Sequence, residues 1–422
     1  MQSRLPASHA CTSMTDLRRH WTLDPEVAYL NHGSFGATPR VVLEVQAELR
    51  ARIESEPVRF LDHELERRLD DARQPLAELL GAQPRDIAWL PNATSGVNTV
   101  VQSLAFEPGD ELLTTDHEYN AVLNTLRVVA GRHGARVVVA RLPFPLRSAA
   151  EAADACLGAV TERTRLAVLS HVTSPTALVL PVERIVPALA ERGVDTLVDG
   201  AHAPGMLPLD LERLGAAYYT GNCHKWLCAP KGAGFLHVRR DRQERIRPLV
   251  ISHGANSPRA ERSRYLLELD WTGTDDPTAY LAVPAAIEFL AGLLPTGWPA
   301  LMARNHALAV AGRDTVLGAL VGAAPAPDEM LGSMATIVLP AGLEPPAPEM
   351  AADAPADATY PDDPLNGALY AVHRVEVPVS SWPPTAQSDR PRLRLLRISA
   401  QAYNRPADYE RLALALTASR PH

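Results

Sequence analysis

The stretch AAYYTGNCHKWLCAPKGAGFLHVRR, residues 216–240, places two β-rich apolar segments on either side of a short polar loop. The loop holds both lysines of the 422-residue chain, Lys225 and Lys231, whereas arginine supplies the other 39 (41 minus 2) basic residues. Arginine stays protonated in proteins, but a desolvated lysine amine can lose its proton, attack a carbonyl carbon and form an imine. The loop is therefore predicted to carry imine chemistry. The alternative is that the whole sequence favours arginine and that these two lysines remain without a functional reason.

Similar apolar segments recur upstream of this loop and alternate with helical patterns. Strands separated by helix-sized segments predict crossover connections and a mainly parallel sheet with helices on both faces. The predicted strands are DIAWLP, DELLTTD, ARVVVARLP, RLAVLSHV, VDTLVDGAH, AAYYTGN and GFLHVRR. In such a sheet, ligands bind beyond the carboxyl ends of the strands, so the polar residues that follow each strand are candidate site residues.

Two further segments organise the rest of the chain. The pattern VVLEVQAELRARIESE before the predicted sheet is helical, and ARNHALAVAGRDTVLGALVG after it begins a region of helices and strands. LPAGLEPPAPEMAADAPADATYPDDP, residues 339–364, is rich in proline, alanine and acids, which predicts a loop or lid.

Composition and charge argue against several classes of protein. An apolar content of 46% supports a globular fold, and a net charge of −8 argues against nucleic-acid or anionic-membrane partners. No apolar run reaches the roughly 18 residues of a membrane span, and the first twenty residues lack a signal-peptide pattern, which predicts a cytoplasmic location. The four cysteines, Cys11, Cys156, Cys223 and Cys228, are too scattered for a disulfide scaffold or a zinc site, so we expect free thiols and no metal.

The stretch NATSGVNTVVQSL, residues 92–104, follows the predicted strand DIAWLP and has the pattern of a helix. Unpaired backbone N–H groups and the positive end of the helix dipole make such a helix start a seat for a phosphate group. Thr94 and Ser95 lie in its first turn and are candidate phosphate ligands. The alternative is that these side chains only cap the helix.

The stretch VDGAH, residues 198–202, puts Asp199 directly after a predicted strand. A carboxylate at that position can hold a heterocyclic nitrogen protonated, which pyridoxal phosphate requires to act as an electron sink. His202 follows Asp199 by three residues and Lys225 follows it by 26. Taken alone, Asp199 is better explained as a helix cap, but its combination with Lys225 and the helix start is the pattern of a pyridoxal-phosphate site.

At this point the chain resembles the fold-type I, class V aminotransferase-like family of pyridoxal-phosphate enzymes, and within it the isopenicillin N epimerase-like subgroup. That subgroup includes C–S lyases of ergothioneine and lincosamide biosynthesis. The segments that carry the resemblance are YLNHGSFG, NATSGVN, TTDHEYNAV, SHVTSPTALVLPV, LVDGAH, TGNCHKW, GTDDP and LRISAQAYN.

The resemblance implies an α/β fold of two domains and an amino-acid substrate. An N-terminal segment, 1–35, would border the active site, a large domain, 36–285, would hold the mainly parallel sheet and the cofactor, and 286–422 would form a smaller α+β domain. The family also implies a homodimer, because this fold type builds its active sites at a subunit interface.

The family pattern assigns the residues around the cofactor ring. Lys225 would form the imine and later move a proton at the substrate α-carbon. Asp199 would pair with the pyridinium nitrogen, and His202 and Ser174 would lie near the phenolic oxygen of the ring. Tyr119 would stack on the ring, and an acid–base role for it stays open.

The pattern also assigns the charged ends of cofactor and substrate. Arg397 resembles the arginine that binds the substrate α-carboxylate, a bidentate task for which lysine is a poor substitute. The implied phosphate ligands are Thr94, Ser95, Asn222 and His224, together with Thr274, which would reach the phosphate of the partner subunit.

Four other residues leave alternatives open. Asn31 and His32 either border the substrate pocket or belong to a structural turn. Arg59 either binds a second substrate carboxylate or forms salt bridges on a helix surface. Lys231 is expected to support the loop behind the active site.

The expected reaction starts at the α-carbon of an amino acid. A desulfurase of the type that needs a late nucleophilic cysteine is disfavoured, because no cysteine follows Cys228. We expect C–S cleavage of an S-substituted cysteine, with epimerisation as a close alternative for which Tyr119 or His32 would be the second acid. Transamination, decarboxylation and a catalytically silent binding protein rank lower.

Overall fold

The computed structural model describes residues 17–343, 363–383 and 392–418. Cys11 and most of the proline-rich segment 339–364 lie outside the described residues. The strands are β1 (Ala28–Tyr29), β2 (Ile87–Leu90), β3 (Glu111–Thr115), β4 (Arg136–Ala140), β5 (Thr164–Ser170), β6 (Asp195–Gly200), β7 (Tyr218–Asn222), β8 (Gly234–Val238), β9 (Met334–Val338), β10 (Val375–Glu376), β11 (Val379–Trp382) and β12 (Leu393–Ser399).

The α-helices lie between and after these strands. They are α1 (Arg40–Ser55), α2 (Leu65–Leu80), α3 (Ala93–Ser103), α4 (Asn120–His133), α5 (Ala149–Gly158), α6 (Val182–Ala190), α7 (Leu211–Leu214), α8 (Arg264–Leu269), α9 (Thr278–Leu281), α10 (Val283–Ala291), α11 (Trp298–Leu320), α12 (Pro364–His373) and α13 (Pro406–Ala418).

The main sheet has seven strands in the order β2-β8-β7-β6-β5-β3-β4. Strand β8 runs antiparallel to both of its neighbours, and the other pairs are parallel. The central strands are buried along nearly their whole length, since helices cover both faces, whereas the edge strand β4 is half exposed. All seven predicted strands lie in this sheet, and the prediction of a mainly parallel α/β fold is confirmed.

Local signals set the helix limits. Asn92 caps α3 by accepting a hydrogen bond from the Ser95 N–H, and Ser148 caps α5 in the same way. Helix α4 ends at Gly134, whose φ of +67° lies in the left-handed region that glycine adopts without strain. The first two caps thus fix where α3 and α5 begin, and Gly134 ends α4 shortly before β4.

The C-terminal part contains a three-stranded antiparallel sheet in the order β11-β12-β9, with its own buried core. The N-terminal strand β1 pairs in parallel with β10, so the N-terminal segment is anchored to the C-terminal part. The domain boundaries after residues 35 and 285 stay a prediction.

The parallel register brings the ends of several strands to one edge of the main sheet. Ser170 at the end of β5 is paired with Asp199 on β6, and Gly200 on β6 is paired with Gly221 on β7. Because the segment HEYNAV follows β3 and the segment CHKW follows β7, both lie at this edge. This edge is where the predicted site residues meet.

Within the described ranges, no helix is long and apolar enough to cross a membrane. No group of three or more histidine, cysteine, aspartate or glutamate side chains there is arranged to hold a metal ion. Cys156, Cys223 and Cys228 are buried free thiols.

Candidate active site

Lys225 lies in the loop after β7, with its amine against the ring of His202. Its Nζ atom is 3.1 Å from His202 Nε2, and Trp226 Nε1–H donates to His202 Nδ1 at 3.4 Å. Since Nδ1 accepts, the ring proton is assigned to Nε2, which then donates to a neutral Lys225 amine. Burial, together with the nearby Arg397 charge, lowers the pKa of Lys225 to about 7, although Asp199 opposes the shift. The amine is therefore available as a nucleophile near neutral pH.

Asp199 lies at the end of β6 and is 5% exposed. Its Oδ1 accepts a hydrogen bond from Ala201 N–H at 2.9 Å, and turns rather than a helix follow it. The helix-capping alternative therefore does not apply. Burial raises the pKa of Asp199, while the neighbouring Lys225 charge lowers it. A cationic ring nitrogen beside this buried carboxylate would stabilise its charged form.

Arg397 lies on β12 and is 7% exposed. Its Nη1 donates to the carbonyl and hydroxyl oxygens of Ser174 at 2.7 and 3.0 Å, and its Nη2 donates to Ser34 Oγ at 2.7 Å. In the described part of the chain, no carboxylate pairs with this guanidinium, and its Nε atom has no hydrogen-bond partner. Burial lowers the pKa of Arg397 to about 10. A buried cation with only neutral partners is the expected seat of an anion.

The start of α3 packs directly on β7. A Cβ atom on Gly96 would lie 2.0 Å from Thr220 Oγ1, so a side chain at this position would push the helix away from the strand. Asn222 Oδ1 accepts a hydrogen bond from Ala93 N–H at 2.8 Å. Asn222 thus acts as a cap on the helix start, a contact that the sequence did not reveal. Thr94 is exposed in the first turn and Ser95 is half buried.

His224 lies in the loop after β7, two residues beyond Asn222. Its Nδ1 donates to the Ala233 carbonyl at 3.0 Å, which leaves Nε2 without a proton in the neutral ring. Burial lowers the pKa of His224 to about 4. A bound phosphate dianion would raise the pKa of His224 by charge attraction. The role of His224 as a phosphate ligand stays a prediction.

Tyr119 follows β3 and is the residue before α4, with a 44% exposed side chain. Glu118, immediately before it, is 2% exposed and accepts hydrogen bonds from Tyr119 N–H and from both the N–H and the hydroxyl of Ser170. Sequence analysis did not single out Glu118. The available signal was an acid at the end of a buried strand, directly before the residue predicted to stack on the cofactor.

His32 lies behind the lysine rather than beside its amine. Its Nδ1 accepts from the Tyr403 hydroxyl at 2.7 Å and from Ala37 N–H at 3.4 Å, and its Nε2 donates to the Lys225 carbonyl at 3.0 Å. Burial lowers its pKa to about 3. With both nitrogens bound within the protein, His32 is placed to hold the Lys225 backbone. The geometry does not favour His32 as a second acid.

Three predicted residues lie apart from these contacts. Asn31 Oδ1 is buried and, within the described residues, lacks a hydrogen-bond partner, which leaves an acceptor for a ligand beside His32. Arg59 is on the surface, 3.1 Å from Glu64 and 3.7 Å from Glu56, as in the salt-bridge alternative. Thr274 lies in an exposed loop. The binding roles of all three stay predictions.

Lys231 is separated from this chemistry. It is exposed and lines a cavity of about 550 Å³, together with Tyr29, Gly36 and Glu376. A Cβ on Gly36 would lie 2.7 Å from the Lys225 carbonyl oxygen. The backbone at Gly36 therefore separates the cavity from the loop that carries Lys225. A supporting role for Lys231 remains a prediction.

The residues present fit pyridoxal phosphate. The buried neutral amine suits an aldehyde, the buried Asp199 carboxylate suits a protonated ring nitrogen, and the start of α3 suits a phosphate group. The unpaired guanidinium of Arg397 is left for the carboxylate of an amino acid. These four features call for an aldehyde carbon, a protonated ring nitrogen, a phosphate group and a carboxylate. Pyridoxal phosphate together with an amino-acid substrate supplies all four groups.

Comparisons with known proteins agree with the fold and site. The sequence pattern of the aminotransferase class V family matches residues 28–314. Isopenicillin N epimerase of Amycolatopsis lactamdurans is 38% identical over 96% of this chain and 98% of its own length. A probable chloroplastic L-cysteine desulfhydrase of Arabidopsis thaliana is 31% identical over 93% and 83%.

Solved structures share the architecture. The cystine C–S lyase C-DES, in complex with its product cysteine persulfide, superimposes with a TM-score of 0.77 at 21% identity, over 94% of this chain and 99% of that one. The match extends the similarity beyond the sheet to both parts of the chain. The chain therefore belongs to the aminotransferase class V family of pyridoxal-phosphate enzymes, in its isopenicillin N epimerase-like subgroup.

Proposed function

We propose that the protein is a lyase that cleaves the C–S bond of an S-substituted L-cysteine. The single observation that carries this choice is that the described site has one clearly available proton-moving group, the neutral Lys225 amine. Elimination needs a single base at the α-carbon, whereas inversion needs an acid on the opposite side as well. The candidate His32 is committed to the Lys225 carbonyl and to Tyr403.

Relatives support both reactions in their names. The cysteine desulfhydrase of Arabidopsis thaliana and the C–S lyase C-DES point to cleavage at sulfur. The Amycolatopsis epimerase is more similar in sequence at 38%. Epimerisation is therefore the second candidate, and the exposed side chain of Tyr119 is the remaining candidate for its second acid.

The proposed roles follow from the contacts. Bound pyridoxal phosphate supplies an electron sink for negative charge at the substrate α-carbon. Asp199 would hold the ring nitrogen protonated, and His202 and Ser174 would contact the ring oxygen. Thr94, Ser95, Asn222 and His224 would bind the phosphate, and Tyr119 would stack on the ring.

Arg397 orients the substrate. The guanidinium donates two N–H groups to the α-carboxylate, and Ser174 and Ser34 fix its plane, so the α-carbon is held near Lys225. Asn31 supplies a further polar contact, and Arg59 would be used only by a substrate with a second carboxylate.

Lys225 then moves the proton. Its Nζ takes the proton from the α-carbon, the Cβ–S bond breaks, and the electron pair leaves with sulfur, which is released as a thiol after protonation. Addition of water to the remaining three-carbon fragment gives pyruvate and ammonia. His202 Nε2–H hydrogen-bonds the neutral amine and keeps it directed into the site.

We further propose a homodimer of a cytoplasmic enzyme, in which Thr274 contacts the phosphate site of the partner. The exposed position of Thr274 and the consecutive exposed apolar residues Leu249, Val250 and Ile251 support the presence of a subunit interface. The domain division at residues 35 and 285 is part of the same proposal.

The test is incubation of the purified holoenzyme with S-alkylcysteines, their sulfoxides and other L-amino acids in deuterated water. Release of pyruvate together with a thiol or sulfenate is the expected result. Deuterated substrate of inverted configuration, without fragmentation, would replace the proposal by epimerisation. Lys225→Ala serves as the inactive control, and Lys231→Ala as the control for loss of a lysine in the same loop.

A further inference from the structure

Glu118 is a buried acid that joins two of the strands bearing the site. One carboxyl oxygen, Oε1, accepts from Tyr119 N–H at 2.8 Å and from the Ser170 hydroxyl, and the other, Oε2, accepts from Ser170 N–H at 2.8 Å. The first N–H belongs to the turn after β3 and the second to the end of β5. Glu118 thus clamps together two backbone segments that lie far apart in the sequence.

The clamp also lies beside the ring-nitrogen acid. Ser170 is the register partner of Asp199 in the β5–β6 pair, and the next residue, His171, donates its N–H to the Asp199 carbonyl at 2.8 Å. A shift of Ser170 would therefore move the strand that carries Asp199. The same shift would release the backbone of Tyr119.

We propose that Glu118 is a positioning residue for the cofactor, which fixes Tyr119 and Asp199 in place and, as a second buried carboxyl group, controls the charge of Asp199. This inference rests on the proposed cofactor site. It assigns a function to a side chain that contacts neither Lys225 nor Arg397 in the described hydrogen bonds.

The clamp requires a carboxylate because each of its two side-chain oxygens accepts a backbone hydrogen bond. Two backbone N–H groups approach different carboxyl oxygens, and a glutamine offers only one oxygen, so Glu118→Gln must leave one buried N–H facing an NH₂ group. An alanine leaves both N–H groups without this acceptor. Isosteric replacement therefore tests the clamp without creating a cavity.

Electrostatics couple the two acids. Burial, followed by repulsion from Asp199, raises the pKa of Glu118 to about 7. Two other titratable groups interact with Asp199 directly: Lys225, whose charge lowers its pKa, and Tyr219. Arg397 and His202 interact with Lys225, and Glu183 and His171 interact with Tyr219. As the pH falls through about 7, the acid pair takes up a first proton that the two carboxyl groups compete for, and the ionised fraction of Asp199 drops.

The experiment measures pyridoxal-phosphate binding against pH in a Lys225→Ala background, which removes imine formation and the titration of the lysine. The dissociation constant is determined by absorbance and equilibrium dialysis between pH 5.5 and 8.5, a range of about 1.5 units on either side of the pair's expected titration. Glu118→Gln is compared with Glu111→Gln. Glu111 is an equally buried acid at the opposite end of β3, bonded to Thr161, Thr164 and Arg136.

The background protein is expected to lose up to about twofold in affinity as the pH falls from 7.5 to 6, beyond the titration of free cofactor, because the two carboxyl groups share one proton. With Glu118→Gln this step disappears, because Asp199 no longer competes for the proton, while affinity at pH 8 falls about tenfold through the broken clamp. Glu111→Gln is expected to keep the pH step and the affinity. Ser170→Ala is expected to keep the step with a smaller loss of affinity.

Two results would overturn the inference. If Glu118→Gln and Glu111→Gln lower the melting temperature alike and leave the pH step intact, Glu118 is only a structural acid. The same holds if Glu118→Gln binds cofactor as the background does. Wild-type protein that neither binds pyridoxal phosphate nor shows the absorbance of its imine would instead overturn the cofactor site, and this inference with it.

Discussion

At the scale of single residues, the site depends on charges that the fold has removed from water. Lys225 and Asp199 were predicted from their places after strands and from family resemblance, and Arg397 from family resemblance alone. Glu118 and Ser34 were not, because their function follows from partners that no local pattern reveals. Ser34 meets Arg397 across 363 residues of sequence, and His32 meets Tyr403 across 371.

Lys225→Met is expected to stabilise the cofactor-free protein. The folded-state pKa of Lys225 lies near 7 and its unfolded value near 10.5, so the folded protein binds fewer protons between these pH values. The gain from methionine should be greatest below pH 7, on the order of a few kcal/mol, and should vanish as the pH rises through about 10.5. Urea unfolding at several pH values measures it. A gain independent of pH would contradict the shifted pKa.

Arg397→Lys is expected to raise KM for the amino-acid substrate by about 10- to 100-fold, with a smaller change in kcat, because lysine cannot donate two parallel N–H groups to a carboxylate. Steady-state kinetics measure the effects on KM and on kcat separately. Arg394→Lys is the matched control on the same strand, where the arginine pairs with Asp363 instead. An equal rise of KM in both variants would mean that β12 itself had been disturbed.

At the scale of elements, the sheet was predictable because buried strands have apolar runs that local sequence displays. The packing of α3 on β7 was not, since it depends on a glycine that meets a strand 124 residues later. The start of α3 is held against the end of β7 by the close contact at Gly96 and by the hydrogen bond of Asn222. Its geometry decides where the N–H groups of α3 point.

Gly96→Ala is expected to weaken cofactor binding by about tenfold or more, although alanine favours helices, because its Cβ would overlap Thr220 Oγ1. Gly131→Ala in α4 has nothing within 4 Å of the new Cβ and should stabilise the protein by about 0.5–1 kcal/mol without changing cofactor affinity. Equilibrium dialysis and thermal unfolding measure both. Unchanged affinity in Gly96→Ala would remove the α3 start from the proposed phosphate seat.

At the scale of the whole molecule, the site draws on the N-terminal turn, the edge of the main sheet and the C-terminal strand β12. Family resemblance indicated this convergence, and the described contacts of Ser34, Ser174 and Arg397 give its geometry. Composition and periodicity could not have done so, because they describe segments one at a time. The contribution of a second subunit is the part that stays a proposal.

Mixed dimers test that contribution. If Thr274 serves the partner's site, Lys225→Ala and Thr274→Arg chains are each nearly inactive, but a mixed dimer has one site free of both changes. Random exchange in equal amounts then restores about a quarter of wild-type activity, since half of the dimers are mixed and half of their sites are intact. Recovery that stays at the sum of the two parents would place Thr274 outside the shared site.

The two lysines differ in access, and this makes the protein unusually selective toward amine reagents. Lys231 is exposed, whereas Lys225 is held against His202 in the interior. Of the two lysines, an acylating dye or an activated resin should therefore attach to Lys231 in the folded protein and spare Lys225. Arginine supplies the other 39 of the 41 lysine and arginine residues. The chain therefore carries many positive charges but very few side-chain amines that an acylating reagent can label.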